Sequence, residues 1–353
     1  MNEDLFYKCS EINDYLIDGD EPKARDLLIQ LLDYVGRNNI QYFPLLNSLI
    51  REVGLYPYMD VNSSEWEDAF VYNLFRADIG LNEEKVLHRE QFRLLSSLLA
   101  GKNIAVSAPT SFGKSFVIDA FIKLRKPRNV AIIVPTIALT DETRRRIYKK
   151  FANEYNIITT TDIPLAERNI FIFPQERALC YVNKIDSLDI LIVDEFYKSS
   201  KDFEKERSAS LIKAIIKLGQ IAKQKYYLAP NITKIEDNQF TKDMEFMKMD
   251  FNTVFLKVTD YYPQIGTDTQ KKGEYFLNLN RTLKGKTLIY AGSFSNITSL
   301  SNLILETSPK IDSVLLNDFS DWLGKNYDYN WNLTLLAKRG VGVPAIGICL
   351  RLG

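Results

Sequence analysis

The residues with the plainest chemical use in this sequence form a short loop of small and hydroxyl side chains that contains one lysine. An apolar run at 103–106 precedes the loop and a stretch of helical periodicity follows it, which predicts a strand entering the loop and a helix leaving it. In that arrangement backbone N–H groups at the helix N-terminus converge on phosphate oxygens, Lys114 adds a positive charge, and Ser115 offers a hydroxyl to Mg²⁺. The predicted triphosphate and Mg²⁺ site comprises Thr110, Ser111, Phe112, Gly113, Lys114 and Ser115.

A pair of adjacent acids, Asp194 and Glu195, follows a second apolar run at 188–193. The run predicts a buried strand, and open α/β sheets bind ligands at the carboxyl ends of their strands. In a nucleoside triphosphatase one acid holds the metal and the other polarises the attacking water. Alone, the pair is explained equally well by a solvated turn, but the phosphate loop favours the catalytic interpretation. We therefore assign catalytic roles to Lys114, Asp194 and Glu195, with Ser115 and Asp194 as the metal ligands.

The elements that must position these residues show three textures along the chain. Residues 5–76 have helical periodicity, and residues 103–230 alternate short apolar runs with helical stretches, which predicts a parallel sheet covered by helices on both faces. After a polar, low-order stretch at 267–273, residues 286–291 predict a buried strand of a further α/β unit. We predict an α/β protein with a helical accessory domain at 1–80, a first sheet domain at 81–250 and a partial second one at 251–353.

Composition limits the remaining classes of protein. Lysine plus arginine and aspartate plus glutamate both total 45, so net charge gives no sign of a nucleic-acid partner. The three cysteines, Cys9, Cys180 and Cys349, are too few and too scattered for a disulfide scaffold or a zinc site, and His88 is the only histidine, which excludes multi-histidine metal sites. The acidic N-terminus and the lack of a long apolar run predict a cytoplasmic protein with no membrane association.

Together these segments resemble the superfamily-two helicases of the DExH/DEAD-box kind. Residues 108–115 resemble the family's phosphate loop, including its usual initial alanine, and residues 194–197 stand at its acid motif, with Tyr197 where relatives have histidine or aspartate. Residues 88–92 look like the upstream glutamine motif, which makes Gln91 a candidate for contacting the adenine edge. The resemblance implies a RecA-like P-loop NTPase sheet, ATP and Mg²⁺ as cofactors, and hydrolysis in response to a DNA or RNA strand.

The same resemblance implies contacts to nucleic acid. Residues 134–139 look like the motif that contacts the backbone of the tracked strand, which points to Pro135 and Thr136. Residues 173–177 resemble a second segment with that purpose and include Arg177. Two basic runs, at 123–128 and 144–150, flank the first motif in sequence. Contacts to phosphate and solvated helix ends explain such runs about equally well.

Later segments depart from the family pattern. Residues 227–231 stand where relatives have Ser-Ala-Thr and lack both hydroxyls, which puts the family's coupling of hydrolysis to strand movement in doubt. Residues 288–293 and 338–343 resemble parts of the second motor domain, whereas 344–349 show no family pattern, and the arginines that complete the ATP site have no counterpart. We therefore expect an incomplete second RecA-like domain, and truncation or a frameshift of a longer parent gene is a reasonable hypothesis.

Three functions remain open at this point. The first is an ATP-dependent helicase or translocase core, with the N-terminal helical domain offering a place for a partner protein. The second is a non-catalytic remnant that binds nucleotide or nucleic acid without turnover, because the completing arginines are missing. The third, a small-molecule kinase on the same phosphate loop, is disfavoured by the ordered set of helicase-like motifs.

Overall fold

The structure, a computed structural model, describes residues 3–80, 84–200, 205–283, 285–343 and 348–351, with residues 205, 206 and 348–351 described by their backbone only. The chain divides into two compact units, Met1–Leu256 and Lys257–Gly353. The domain boundaries expected at 80 and 250 stay a prediction. Residues 344–347, in the segment without family pattern, lie outside the described residues. In the part of the chain that is described, no helix combines the length and hydropathy needed to cross a bilayer.

The first unit begins with the helical region that the periodicity predicts. Local capping explains its boundaries: the Asp20 side chain accepts a hydrogen bond from the N–H of Lys23 at the start of the second helix, and Gly54 ends the third helix in the left-handed conformation. A short antiparallel hairpin follows these helices. The elements are α1 (Glu3–Ile17), α2 (Glu21–Arg37), α3 (Pro44–Val53), α4 (Trp66–Leu74), β1 (Arg76–Asp78) and β2 (Glu84–Val86).

A seven-stranded sheet, parallel throughout, forms the centre of the first unit and confirms the predicted RecA-like fold. Its strands are β3 (Ile104–Ser107), β4 (Asn129–Ile133), β5 (Asn156–Ile158), β6 (Asn169–Phe173), β7 (Leu188–Val193), β8 (Ala222–Ala229) and β9 (Glu245–Lys248). Their order across the sheet is β5-β6-β4-β7-β8-β3-β9. Apolar runs at 103–106, 129–134, 170–173, 188–193 and 226–228 predicted five of these strands. The two that they did not predict, β5 and β9, are the short strands at the two edges.

Helices cover both faces of this sheet, as its apolar strands require. On one face Ile104 and Ile192 pack with α5, α6, α7 and the N-terminal helices, so the helical region shares the core of the sheet. On the other face Ala105 and Val193 pack with α8 and α9. The helices are α5 (Arg89–Leu99), α6 (Lys114–Arg125), α7 (Ile137–Phe151), α8 (Gln175–Tyr181) and α9 (Lys205–Ile221).

The second unit contains α10 (Tyr262–Ile265), α11 (Thr269–Thr282), β10 (Thr287–Tyr290), α12 (Phe294–Thr307), α13 (Val314–Asn326), α14 (Asn332–Ala337), β11 (Val341–Gly342) and β12 (Ile348–Arg351). Its described strands pair antiparallel in the order β10-β12-β11. The incomplete second RecA-like domain therefore stays a prediction.

Two expectations for the second unit were wrong. The stretch at 267–273 is not low-order, because Asp268 accepts hydrogen bonds from two N–H groups of the next turn and so starts α11. The strand at 286–291 exists as β10, but it is not buried. Leu288 and Tyr290 are 62% and 79% exposed, since alternate side chains of a strand face opposite sides.

Candidate nucleotide site at the carboxyl edge of the sheet

The phosphate loop has the strand, turn and helix that its residue types predicted. Buried β3 leads into a short 3₁₀ turn at Thr110–Phe112, and α6 begins at Lys114. Between them Gly113 lies in the left-handed region, with φ of +75°. A Cβ atom at this position would lie 2.8 Å from Nε2 of Gln91. Both the backbone conformation and the close approach therefore require glycine.

Lys114 folds back over the loop. Its Nζ donates to the carbonyl oxygen of Ala108 at 3.0 Å and to that of Pro109 at 3.4 Å. Burial lowers the pKa of Lys114, while the nearby charges of Asp194 and Glu195 act to raise it. The ammonium group is thus close enough to both acids to interact with them electrostatically, although 80 residues separate them in sequence.

The acid pair lies at the end of β7, two strands away from β3 because β8 runs between them. The N–H of Asp194 donates to the carbonyl of Ile133, and its Oδ1 accepts from the N–H of Glu195 at 2.9 Å. Burial raises the pKa of Asp194, and the adjacent charge of Glu195 adds to the effect. Glu195 has a left-handed backbone and forms an ion pair with Lys198. The fold therefore brings Lys114, Asp194 and Glu195 to one edge of the sheet.

Gln91 has both ends of its amide bound within the protein. Its Oε1 accepts from the N–H of His88 at 2.9 Å, and its Nε2 donates to the carbonyl of Phe112 at 2.6 Å. The side chain is buried. Gln91 thus ties the start of α5 to the phosphate loop, and its contact to adenine stays a prediction.

The oxygen donors at this edge suit Mg²⁺. Ser115 lies in the exposed first turn of α6, and Asp194 is a carboxylate whose pKa is raised by burial. Among the described residues no group of three or more His, Cys, Asp or Glu side chains is placed to hold a metal ion. Mg²⁺ needs no such group, because it is commonly held by one or two carboxylates together with phosphate oxygens and water. Ser115 and Asp194 therefore fit the ion as ligands to a nucleotide-bound metal.

Sequence reasoning missed Asp119, which lies fully buried on α6 one turn after Ser115. The Arg146 guanidinium and the Lys150 ammonium, both on α7, pair with its carboxylate, and the Lys150 contact measures 2.8 Å. Arg146 also donates to the carbonyl of Ser115 at 3.3 Å, and its charge acts on Asp194. Two cations four residues apart were visible in the sequence, but nothing there identified their partner. This cluster joins α7 to the first turn of the phosphate-binding helix.

The remaining arginines of the basic run at 144–150 form ion pairs within their own helix. Arg144 and Arg145 both pair with Asp141 at 2.8 Å. With Arg146 and Lys150 bound to Asp119, most of this run has a carboxylate partner inside the chain. The plain structural interpretation, solvated and paired helix charge, therefore explains most of it.

The basic run at 123–128 lies at the opposite edge of the sheet. It precedes β4, whereas the motif at 134–139 follows that strand, and five extended residues span roughly 16 Å. Lys123 pairs with Glu154 at 2.9 Å, and the N–H of Arg128 donates to Asp189 at 2.6 Å. This run therefore precedes the motif in sequence but does not lie beside it in space.

Pro135, Thr136 and Arg177 lie at the carboxyl edge, after the neighbouring strands β4 and β6. Thr136 caps α7, because its Oγ1 accepts from the N–H of Leu139 at 3.2 Å. The Pro135 carbonyl accepts from Arg207, and Arg177 donates to the carbonyl of Thr159 at 2.6 Å. All three residues form hydrogen bonds within the chain, and their contacts to nucleic acid stay a prediction.

The segment that stands in place of Ser-Ala-Thr supports the phosphate loop by its backbone. The carbonyl of Ala229, at the end of β8, accepts from the N–H of Ala108 at 3.0 Å. The side chains of Tyr226 and Tyr227 are buried, and burial raises the pKa of both phenols. The negative charge of Asp194 also contributes to the raised pKa of Tyr226.

Comparison with known families gives a match over the region that contains this site. Residues 88–228 match the family model described as DEAD/DEAH box helicase. This segment contains the phosphate loop, the acid pair and most of the parallel sheet. Residues 88–228 therefore form a helicase-type domain of the kind that their motifs predicted.

The N-terminal helices belong to a more specific match. Residues 1–69 match the family model described as Anti-bacteriophage protein B N-terminal domain. The chain is also 28% identical, over 337 residues, to Anti-bacteriophage protein B of Escherichia coli strain K12. That alignment covers 91% of this chain and 45% of the relative, so the chain spans about half the length of the curated relative it matches.

Comparison with solved structures gives a more distant similarity. The SWI2/SNF2 ATPase core of Sulfolobus solfataricus, in complex with double-stranded DNA, is similar with a TM-score of 0.37 and 13% sequence identity. The similarity covers 62% of this chain and 58% of that one.

Proposed function

We propose that this chain binds ATP with Mg²⁺ and hydrolyses it in response to a strand of DNA or RNA, as the motor core of a helicase or translocase. The observation that carries the proposal is the convergence of Lys114 with Asp194 and Glu195 at the carboxyl edge of a parallel sheet. Opposite charges at the end of a phosphate-binding loop are what the chemistry of phosphoryl transfer requires. The match to the DEAD/DEAH box helicase model over 88–228 supports the same class of reaction.

Each residue has a role that follows from its position. The first turn of α6 presents backbone N–H groups at a helix N-terminus, and these would bind phosphate oxygens. Lys114 would exchange the carbonyls of Ala108 and Pro109 for phosphate oxygens. Ser115 and Asp194 would hold Mg²⁺, which supplies positive charge to the transferred phosphoryl group. Glu195 would orient the attacking water by accepting a hydrogen bond from it.

The nucleic-acid strand is proposed to bind at the same edge, near the ends of β4 and β6. Thr136 and Arg177 are the candidate contacts, because backbone amides, hydroxyls and guanidinium groups recognise phosphate without selecting sequence. Closure of the site around ATP would then depend on whether a nucleic-acid strand is bound at this edge.

ATP hydrolysis by the purified chain, with and without single-stranded DNA and RNA, tests the proposal. We expect hydrolysis to increase when a strand is added. Lys114→Ala and Glu195→Gln should each reduce it by about 100-fold or more, since each removes a charge used in the transition state. Lys123→Ala, which removes a surface cation at the other edge of the sheet, is the control and should retain activity. Equal rates in the native chain and the Glu195→Gln variant would contradict the proposal.

One observation favours a second function, binding of ATP without turnover. Lys198 pairs with the carboxylate of Glu195 and therefore competes with the attacking water for that carboxylate. If the chain binds ATP in a Lys114-dependent manner but does not hydrolyse it, Lys198→Ala should restore hydrolysis when the ion pair is the cause. No hydrolysis in that variant would assign turnover to a longer protein.

We also propose defence against bacteriophage as the biological setting. The support is the similarity to Anti-bacteriophage protein B, which extends over 91% of the chain and includes its N-terminal helices. The expected result is fewer plaques on bacteria that express the protein, and normal plaque numbers with Lys114→Ala. Equal protection by the native chain and the Lys114→Ala variant would show that the defence does not depend on ATP binding.

A further inference from the structure

Two successive carbonyl groups of the phosphate loop are held by side chains from outside the loop. The carbonyl of Ser111 accepts from Oγ1 of Thr253 at 2.9 Å. The carbonyl of Phe112 accepts from Nε2 of Gln91 at 2.6 Å. These bonds hold the turn immediately before Gly113, so they fix the direction in which the loop's N–H groups point.

The first of these supports is anchored to the N-terminal helical region. Tyr58, which lies between α3 and α4, donates its hydroxyl to the carbonyl of Thr253 at 2.9 Å. Arg25 of α2 donates to the carbonyl of Asp250 at 2.9 Å, and its guanidinium lies 4.3 Å from the ring centre of Phe251. The segment after β9 is thus held by two residues of the helical region and in turn holds Ser111.

The second support is anchored to the same region. The N–H of Arg89, at the start of α5, donates to the carbonyl of Gly54 at 3.0 Å, and its guanidinium donates to the carbonyl of Glu52 at 3.0 Å. Gln91 lies in the first turn of that helix. Both contacts to the loop therefore originate from elements that pack on the helical region.

These contacts are shielded from water. Thr253 and Gln91 are 7% and 5% exposed, and the intervening Phe251 is fully buried. A hydrogen bond lost in such a place is not replaced by water, so its loss changes the position of the loop.

We propose that the N-terminal helical region positions the phosphate loop for ATP through Tyr58, Thr253 and Ser111. Thr253 and Tyr58 are positioning residues: they act on the loop and do not touch the nucleotide themselves. The inference rests on the proposed ATP site and assigns a role to the helical region within residues 1–69, which match the Anti-bacteriophage protein B N-terminal domain.

Equilibrium titration of ATP with Mg²⁺ tests this proposal in the full chain. Thr253→Val keeps the shape of the side chain but removes the hydroxyl, and it should weaken ATP affinity about 3- to 10-fold. Thr253→Ser restores the hydroxyl and should restore the affinity. Tyr58→Phe should weaken affinity by a smaller factor. Combined with Thr253→Val it should add nothing, because Tyr58 acts through the Thr253 segment.

Thr241→Val is the matched control. Thr241 is also a buried threonine of the first unit, and its Oγ1 donates to the carbonyl of Glu236 at 2.6 Å, away from the loop. This variant should lose stability without losing ATP affinity. Unchanged ATP affinity in Thr253→Val, or equal weakening by Thr241→Val, would overturn the positioning role.

Hydrogen exchange separates this inference from the proposed function. Without nucleotide, Thr253→Val should speed exchange of the amides at 110–116 and Thr241→Val should not. If the native chain binds no ATP, the proposed function fails. Faster loop exchange in Thr253→Val, but not in Thr241→Val, would still show that Thr253 holds the loop. Equal exchange rates of these amides in the two variants would contradict the role of Thr253 in holding the loop.

Discussion

The phosphate-loop edge and the basic helix α7 differ in how their charged residues are used. At the loop edge, Lys114 donates to two loop carbonyls and lies near the carboxylates of Asp194 and Glu195, the second of which pairs with Lys198. On α7, Arg146 and Lys150 are paired with a buried carboxylate. The first arrangement leaves charge available to a nucleotide, whereas the second uses charge to join two helices. A run of like charges therefore does not by itself identify a binding surface.

The largest expected effect tests the structural use of charge on α7. Asp119→Ala leaves two cations without their buried partner and should lower the free energy of unfolding by about 3 kcal/mol. Asp141→Ala removes the partner of Arg144 and Arg145 at the surface, where water and salt screen the pair, and should cost much less. Urea unfolding measures both. A similar cost for the two variants would mean that the Asp119 cluster is no more structural than a surface pair.

The next effect concerns His88, which lies between the rings of Tyr58 and Phe251 beside the loop. Burial lowers the pKa of His88 from 6.5 to about 4. As the pH falls through that window the unfolded chain takes up a proton that the folded chain does not, so stability is lost on acidification. Between pH 7 and pH 5 the free energy of unfolding should fall by about 2 kcal/mol from this group.

His88→Gln removes the titrating group and should reduce the loss of stability between these two pH values by that amount. Urea unfolding of both forms at pH 7 and pH 5 measures the difference. An identical pH dependence in the two forms would show that folding does not lower the pKa of His88.

A smaller effect distinguishes steric fit at the loop from backbone strain alone. Gly113 and Gly101 both have positive φ, +75° and +81°, but only Gly113 has a neighbour where a Cβ would lie. Gly101→Ala should cost about 1 kcal/mol of stability through strain. Gly113→Ala should cost more and also weaken ATP binding, because it displaces Gln91 from Phe112. Equal effects on ATP binding would show that the fit around Gly113 is unimportant.

The smallest effect is expected at the amino edge of the sheet. Replacing Arg125 and Arg128 by alanine should leave the affinity for single-stranded DNA or RNA within about twofold, with the same salt dependence. Arg177→Ala, at the carboxyl edge, is the comparison and should reduce both affinity and salt slope. Loss of affinity in the variant without Arg125 and Arg128 would place the nucleic acid at the amino edge of the sheet.

The sequence predicted those parts of the molecule that depend on strict local spacing. The strand, turn and helix around Gly113 and the acids after β7 follow from residue type and order, and so did the parallel sheet. The edge strands β5 and β9 were missed because a few residues carry too weak a periodic signal. Thr253 was missed because a single hydroxyl outside any motif resembles many others. Its partner Ser111 lies 142 residues away in sequence.

Partners that are distant in sequence explain the other omissions. Arg146 and Lys150 were visible as part of a charge run, but Asp119 precedes them by 27 and 31 residues and lies on another helix. Gln91 was found as a motif residue, yet its bond to the Phe112 carbonyl depends on how α5 packs against the loop. Such contacts are set by the tertiary fold, and a single sequence gives no direct sign of them.

The most direct test of the central claim is the affinity of the purified chain for ATP with Mg²⁺, measured by titration calorimetry and compared with that of Lys114→Ala. We predict saturable binding of one ATP per chain that is weakened at least tenfold by the substitution, with the fold retained. Absence of binding in the native chain, or equal binding in the variant, would contradict the assignment of the carboxyl edge as a nucleotide site.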